Sequence, residues 1–202
     1  MVATRWRAGY SPARLPAVTD IRLATPTDRE RLVTTVVAAF DQDPAFRAFF
    51  GSGPDFTTLA TRFAGSLLDR RIPGGSVWMT DDGDALAMWD PPAGTVEVPP
   101  SALELPADAR ARLDHYDQLV HAAITSESHW YLGVLASHPS RRGEGLARRV
   151  AEPGLAAAAA VGAPAVLETT NPDNVAMYER SGWSVTATLT DVIGLTVWVL
   201  QR

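Results

Sequence analysis

Hydrophobic and polar positions along this chain switch between two periods, and the switches outline its elements. Thr19 to Ala24 (TDIRLA) alternates, as a strand does. Thr25-Pro26-Thr27-Asp28 follows with a proline in an opening turn beside hydroxyl and carboxylate caps, a helix start. Leu32, Val33, Val36, Val37 and Phe40 recur at helical spacing, and Asp41 to Pro44 ends that helix. A second helical stretch runs to the breakers at Gly51 to Pro54, and a third passes through Leu59, Phe63, Leu67 and Leu68. Ser76–Thr80 and Ala85–Trp89 flank Asp81-Asp82-Gly83-Asp84, the pattern of a hairpin closed by an Asp-Gly turn.

Beyond a loop marked by Pro91, Pro92, Pro99 and Pro100, Asp108 to Ile124 reads as an amphipathic helix through Leu113, Tyr116, Leu119, Val120 and Ala123. Trp130 to Ala136 (WYLGVLA) is almost continuously apolar, as a central strand covered on both faces must be. A loop, a helix from about Gly145 to Val161, a strand Ala165–Glu168 and a helix over about Asn174–Arg180 come next. Strands Trp183–Leu189 and Gly194–Leu200 close the chain. The order predicts one mixed α/β domain over 18–202, with a central sheet of six or seven strands and helices on both faces. Residues 1–17, with Gly9, Pro12 and Pro16 and no clear period, read as a loose leader.

Composition narrows the chemistry. Of 202 residues, 46% are hydrophobic, enough for a substantial core. All 18 basic residues are arginines, and lysine and cysteine are both absent. Disulfides, thiolate nucleophiles, Schiff-base amines and the phosphate-loop lysine are thereby excluded. A net charge of −5 argues against a phosphate-backbone partner such as nucleic acid. The longest low-polarity run, Gly154 to Val166, is too short to span a bilayer and is broken by Gly162 and Pro164. No apolar stretch follows Arg5 and Arg7, so neither an export signal nor a membrane partner is expected, and the cytoplasm is the expected location. His115, His121, His129 and His138 show no metal-ligand spacing, and no metal is expected.

The most informative segment runs from Leu135 to Arg149. A buried strand enters a turn carrying Arg141, Arg142, Gly143, Glu144 and Gly145, then passes straight into an alanine-rich helix. Unpaired amides at a helix start, together with the helix dipole, favour an anion there. Gly143 and Gly145 let phosphate oxygens approach the backbone. The dinucleotide fingerprint needs a third glycine at fixed spacing, whereas this loop reads Arg142-x-x-Gly145-x-Ala147. Downstream, Asn171 to Trp183 (NPDNVAMYERSGW) is a capped two-turn helix ending at Gly182 and feeding a strand.

These two motifs, in this order and about 30 residues apart, resemble the GCN5-related N-acetyltransferase (GNAT) superfamily. Its pyrophosphate loop, Gln/Arg-x-x-Gly-x-Gly/Ala, is matched by Arg142, Gly145 and Ala147. Its second motif, Asn-x-x-x-Tyr-Glu-x-x-Gly-Phe, is matched by Asn174, Tyr178, Glu179, Gly182 and Trp183. The resemblance covers residues 19–201 and implies acetyl-CoA as co-substrate. The pyrophosphate would lie on Arg142, Gly143, Glu144, Gly145, Leu146, Ala147 and Arg148, with Asn174 nearby. Pantetheine would lie between two splayed strands, against backbone at Leu135 and Ser137. Tyr178 would be the general acid protonating the departing thiolate, and a strand amide near Leu135 would receive the carbonyl oxygen. Glu168, at the end of its strand, is the candidate base, with Glu127 and His129 as alternatives.

Within the superfamily the likeness extends to puromycin N-acetyltransferases, through Ile21–Asp28, Val37–Ala45, His129–Pro139, Glu152–Ala158 and Val166–Ala187. The helix-interrupting Pro153-Gly154 pair belongs to that pattern. The Tyr-Pro of those enzymes reads Asp43-Pro44 here, a carboxylate suited to a cationic acceptor or to capping a helix. Phe40, Asp43 and Trp89 are therefore expected around a small-molecule amine. A protein or peptide acceptor, and a non-catalytic acyl-CoA sensor, are the competing readings. The apolar strand Leu195–Leu200 is a candidate for pairing across a homodimer.

Overall fold

The computed structural model describes residues 20–96, 99, 103–125 and 128–202. The expected leader at 1–17 and the alternative base Glu127 lie outside these residues. Seven strands form one sheet: β1 (Ile21–Leu23), β2 (Val77–Thr80), β3 (Ala85–Asp90), β4 (Trp130–Ser137), β5 (Ala165–Thr169), β6 (Ser184–Val192) and β7 (Leu195–Gln201), in the order β1-β2-β3-β4-β5-β7-β6. Every neighbouring pair is antiparallel except β4–β5, which is parallel. Six helices complete the described fold: α1 (Arg29–Ala39), α2 (Pro44–Phe50), α3 (Phe56–Arg71), α4 (Ala107–Ala123), α5 (Leu146–Ala160) and α6 (Pro172–Arg180). The mixed sheet of the sequence reading is thus the fold, with the upper of its two strand counts.

The sheet separates two hydrophobic clusters. On one face Leu32, Val36, Phe46, Phe49, Leu68, Leu113 and Val120 of α1–α4 pack with Met79, Met88 and Val134 of the strands. On the other, Leu146, Val150 and Ala158 of α5 pack with Ala87, Trp89, Leu132 and Leu167. Side chains of a regular strand alternate between faces, but β4 carries a bulge. Met88 pairs with Val134 and Trp89 with Leu132, leaving Gly133 unmatched. The extra residue resets the alternation, so Leu132 faces α5 while Val134 faces the helical layer opposite.

Three expectations change on packing grounds. The Pro153–Gly154 pair does not interrupt its helix, because α5 runs from Leu146 through Ala160. Gly154 is there for proximity. A Cβ at that position would stand 2.3 Å from the Trp89 indole, so the missing side chain lets helix and sheet close on each other. Trp89 itself is fully buried under α5, on the face away from the helical layer, so it is a core residue and not an acceptor contact. Strand β7 lies between β5 and β6, with both backbone edges hydrogen-bonded, which leaves it no edge for pairing across a dimer. Strand β6 is the edge on that side.

Candidate active site

The parallel pair at the middle of the sheet is brief. β4 and β5 are in register only at Trp130–Ala165 and Tyr131–Val166. From Leu132 to Ser137 β4 pairs with β3 alone, so the two central strands part and peptide groups along one edge of β4 are left without a ladder partner. Leu135 lies on this open stretch and lines the cleft. Ser137 ends it, its hydroxyl buried and without a hydrogen-bond partner among the described residues.

At the end of β4 the chain makes a short 3-10 turn, Pro139–Arg141, then reaches Gly143 and Gly145 with φ of +87° and +72°. That left-handed backbone favours glycine. Nothing stands within 4 Å of where a Cβ would be at either position, so the loop surface is open. Gly145 is the N-cap of α5 and supplies no side-chain cap. The amides of Leu146, Ala147 and Arg148 in the first turn of a 15-residue helix are left for an outside acceptor. This backbone suits a pyrophosphate. Arg142 and Glu144 are exposed beside it, while the Arg148 side chain points to solvent and pairs with Glu152 at 3.5 Å.

Sequence reading missed the residue that fixes this loop. The Arg141 guanidinium donates to Asp84 at 2.6 Å, to Asp82 at 3.0 Å and to Glu144 at 2.9 Å. The first two acceptors lie in the β2–β3 turn, and the same turn is tied to α1 by the Thr35 hydroxyl bonding the Gly83 carbonyl at 2.7 Å. Nothing in the local motif separates Arg141 from Arg142, because the partners lie 57 and 59 residues away.

Helix α6 starts beside the end of β5. Asn171 caps it by accepting from the Asp173 amide at 3.0 Å, and Asn174 donates to the Thr169 hydroxyl at 3.4 Å. Tyr178 leaves this helix to pack edge-on against Trp183, with centroids 5.9 Å apart. Burial and the nearby Glu168 charge push its phenol well above the ordinary tyrosine range, so it stays protonated at neutral pH.

On the helical side of the sheet the parting strands open into a cavity of about 430 Å³, within the size range of small-ligand sites. It brings together Phe40, Asp43, Leu135, Glu168, Asn174 and Tyr178, residues spread over 139 positions of sequence. Phe40 stacks on Phe46 at 4.6 Å, and Phe46 meets Phe63 edge-on at 5.6 Å, giving one aromatic wall. Asp43 does the helix capping that the sequence allowed. Its carboxylate caps α2 by accepting from Ala45 and Phe46 at 2.9 and 3.1 Å, and it also faces the cavity. Burial raises its pKa against those two hydrogen bonds.

Glu168 is the central ionisable group. Burial pushes its carboxyl up to about 7, and a hydrogen bond from Tyr131 opposes that rise. The phenol donates to Glu168 Oε2 at 2.5 Å. His121 and Asp117 of α4 also line the cavity, although sequence periodicity gave His121 no role. Its ring lies 5.8 Å from that of Tyr131, and Nδ1 lies 2.7 Å from the Asp117 carbonyl. His129 is half-buried just before β4 and does not line the cavity. Among the described residues no cluster of His, Asp and Glu could hold a metal ion.

A single α/β domain thus joins parted central strands, a glycine loop opening a helix, and a half-buried carboxylate lining a cavity. The acetyltransferase (GNAT) family model matches residues 69–183, more than half of the chain, and the chain belongs to that family. The enzyme class read from the two motifs is therefore its class. Solved structures agree on the fold. A histone acetyltransferase HPA2 and related acetyltransferase from Corynebacterium glutamicum superposes with a TM-score of 0.66 at 20% identity, covering 91% of this chain and 95% of that one. A Drosophila melanogaster polyamine N-acetyltransferase gives 0.64 at 15% identity, covering 91% and 98%. Arylalkylamine N-acetyltransferase 2 from Aedes aegypti gives 0.63 at 11% identity, covering 92% and 98%. No described helix is long and apolar enough to cross a membrane.

Proposed function

We propose that this protein is an acetyl-CoA-dependent N-acetyltransferase acting on the primary amine of a small molecule with an apolar or aromatic body. The observation that carries the reading is the walled cavity, with a phenylalanine cluster on one side and Glu168, its carboxyl at about 7, at the strand fork. Bound acetyl-CoA supplies the acyl group. Its pyrophosphate suits the amides from Gly143 to Arg148, and its pantetheine suits the open edge of β4 at Leu135 and Ser137. Glu168 then accepts a proton from the acceptor ammonium, and the neutral amine attacks the thioester carbon. The carbon–sulfur bond breaks, and Tyr178 gives its proton to the leaving sulfur. A β4 amide near Leu135 offers a hydrogen bond to the carbonyl oxygen as it gains charge. The chain holds no cysteine to relay an acetyl group, which fits direct transfer.

Of the charged side chains lining the cavity, Arg71 is paired with Asp90 and Arg110 with Asp114, which leaves Asp43, Asp117 and Glu168 against Arg70, a lining that suits a cationic acceptor. The likeness to puromycin N-acetyltransferases extends this to an aminated antibiotic or metabolite. The solved structures of similar fold include polyamine and arylalkylamine N-acetyltransferases, whose acceptors are small amines by name. A protein or peptide acceptor calls for an open groove instead of walls. The test is thiol release from acetyl-CoA across a panel of aromatic amines, polyamines, puromycin and a lysine peptide. Turnover is expected on small amines and not on the peptide. Acetyl-CoA binding without turnover on any amine would sink the enzymatic reading. Tyr178→Phe should lower kcat about 10- to 100-fold with the Kd for acetyl-CoA nearly unchanged.

A further inference from the structure

We propose that Tyr131 is the positioning residue of the site: by bridging the strand fork it aims the Glu168 carboxylate at the acceptor amine. The proposal rests on Glu168 being the base. Tyr131 is the last residue of β4 in register with β5, and Glu168 lies two residues beyond its partner Val166. Residues two apart on a strand share a face, so Tyr131, Val166 and Glu168 project to the same side of the sheet. The first backbone rung missing at the fork is thus replaced by a side-chain one, from Tyr131 Oη to Glu168 Oε2 at 2.5 Å. A carboxylate has two oxygens. The Glu168 backbone amide also donates to this carboxylate, and with Oε2 held by the phenol Oε1 keeps a lone pair to take the proton.

The phenol is itself held. Its ring packs beside the His121 ring of α4 and over the Gly133 bulge, where a Cβ would stand 3.3 Å from the Tyr131 ring. The ionisable groups facing Glu168 are Tyr131 of β4, Tyr116, Asp117 and His121 of α4, and Tyr178 of α6. Tyr131 is the one that donates to its carboxylate in the structure, and burial with the adjacent Glu168 charge raises its own pKa well above the usual tyrosine value. The phenol therefore remains a donor across the working pH range and does not compete as a base. The donated bond favours the ionised form of Glu168, so removing it makes the base harder to ionise.

Tyr131→Phe keeps the ring and deletes only the donor. The expected result is an acid limb of the kcat/KM profile moved up by about one pH unit, with about tenfold lower activity at pH 6.5 that recovers above pH 9. Acetyl-CoA affinity should not change. An unmoved limb, or a uniform loss at all pH values, would overturn the positioning role. Glu168→Gln separates this outcome from failure of the base assignment. If Glu168→Gln is fully active, Glu168 is not the base and the proposal falls with it. If Glu168→Gln is inactive and Tyr131→Phe has the wild-type profile, only the role of Tyr131 fails. A circular dichroism melt and acetyl-CoA titration of Tyr131→Phe show that the variant is folded and loaded, which makes either kinetic outcome decisive.

Discussion

The two faces of one sheet have been put to opposite uses. Toward α5 the strands meet an apolar layer in which Trp89 lies against Gly154. Toward α1–α4 the same strands meet phenylalanines interrupted by a cavity holding Asp43, Asp117, His121 and Glu168. The difference originates in two irregularities of β4. The Gly133 bulge resets which residues point to which side, and early separation from β5 leaves space that side chains of one layer do not fill. The closed face is filled by apolar packing, and the open face gathers ionisable groups around a cavity. Packing defects on the first should cost stability without touching pH dependence, whereas charge changes on the second should do the reverse.

The largest effect expected is on the open face. Glu168→Gln should lower kcat/KM by about 10²- to 10⁴-fold, measured at saturating acetyl-CoA. The same substitution should be favourable to folding at neutral pH. The folded carboxyl titrates near 7 against an ordinary value of 4.5, so between those pH values the folded protein holds a proton that the unfolded chain has released. Stability carried by Glu168 is thus fully present below about 4.5, falls as pH rises toward about 7, and is level above. Over that window wild type should lose about 3 kcal/mol that Glu168→Gln does not lose. Parallel pH–denaturation curves for the two proteins would break the assignment of a carboxyl with a raised pKa.

On the closed face, Gly154→Val should cost about 3 kcal/mol, since its Cβ would overlap the fully buried indole of Trp89. Urea denaturation checks the loss, and the pH profile of residual activity should coincide with wild type. A shifted profile would show that the two faces are coupled. The smallest effect distinguishes the two roles of Asp43. Asp43→Ala removes the α2 cap and should cost about 1 kcal/mol of stability. Asp43→Asn keeps a capping oxygen and should recover most of that, yet still raise KM severalfold for a cationic amine and leave a neutral-bodied amine unaffected. Equal KM changes for both amines would leave Asp43 with capping alone.

The elements were readable because each is locally overdetermined. The Asp-Gly turn of the β2–β3 hairpin, the Asn171 cap and the Gly145 entry to α5 are all short-range signals, and each stands within a few residues of its expected place. The local shape of the candidate site was readable for the same reason. Gly143 and Gly145 take the left-handed backbone, and Asn174 bonds Thr169 five residues before it, geometry of the kind that a spacing motif records. Trp89 went the other way: an aromatic beside a proline loop resembles a ligand contact, and only the register of β3 against β4 shows that it faces α5. Strand β7 is apolar because it is central, not because it waits for a partner chain. Arg141 and Tyr131 carry no local mark, since their acceptors lie 57 and 37 residues away.

By itself the sequence determined the succession of strands and helices, the glycine-opened loop before α5 and the family to which two spaced motifs belong. Periodicity, caps and backbone-permissive residues act over one or two turns, so they are written where they are used. Tertiary structure alone decided which face each residue joins, where β4 and β5 part, and that the Glu168 carboxyl is buried under a tyrosine from the neighbouring strand. Burial and charge proximity depend on groups brought together by chain reversal, and the energy of a proton at Glu168 is a property of that assembly, not of the Leu-Glu-Thr in which it is encoded.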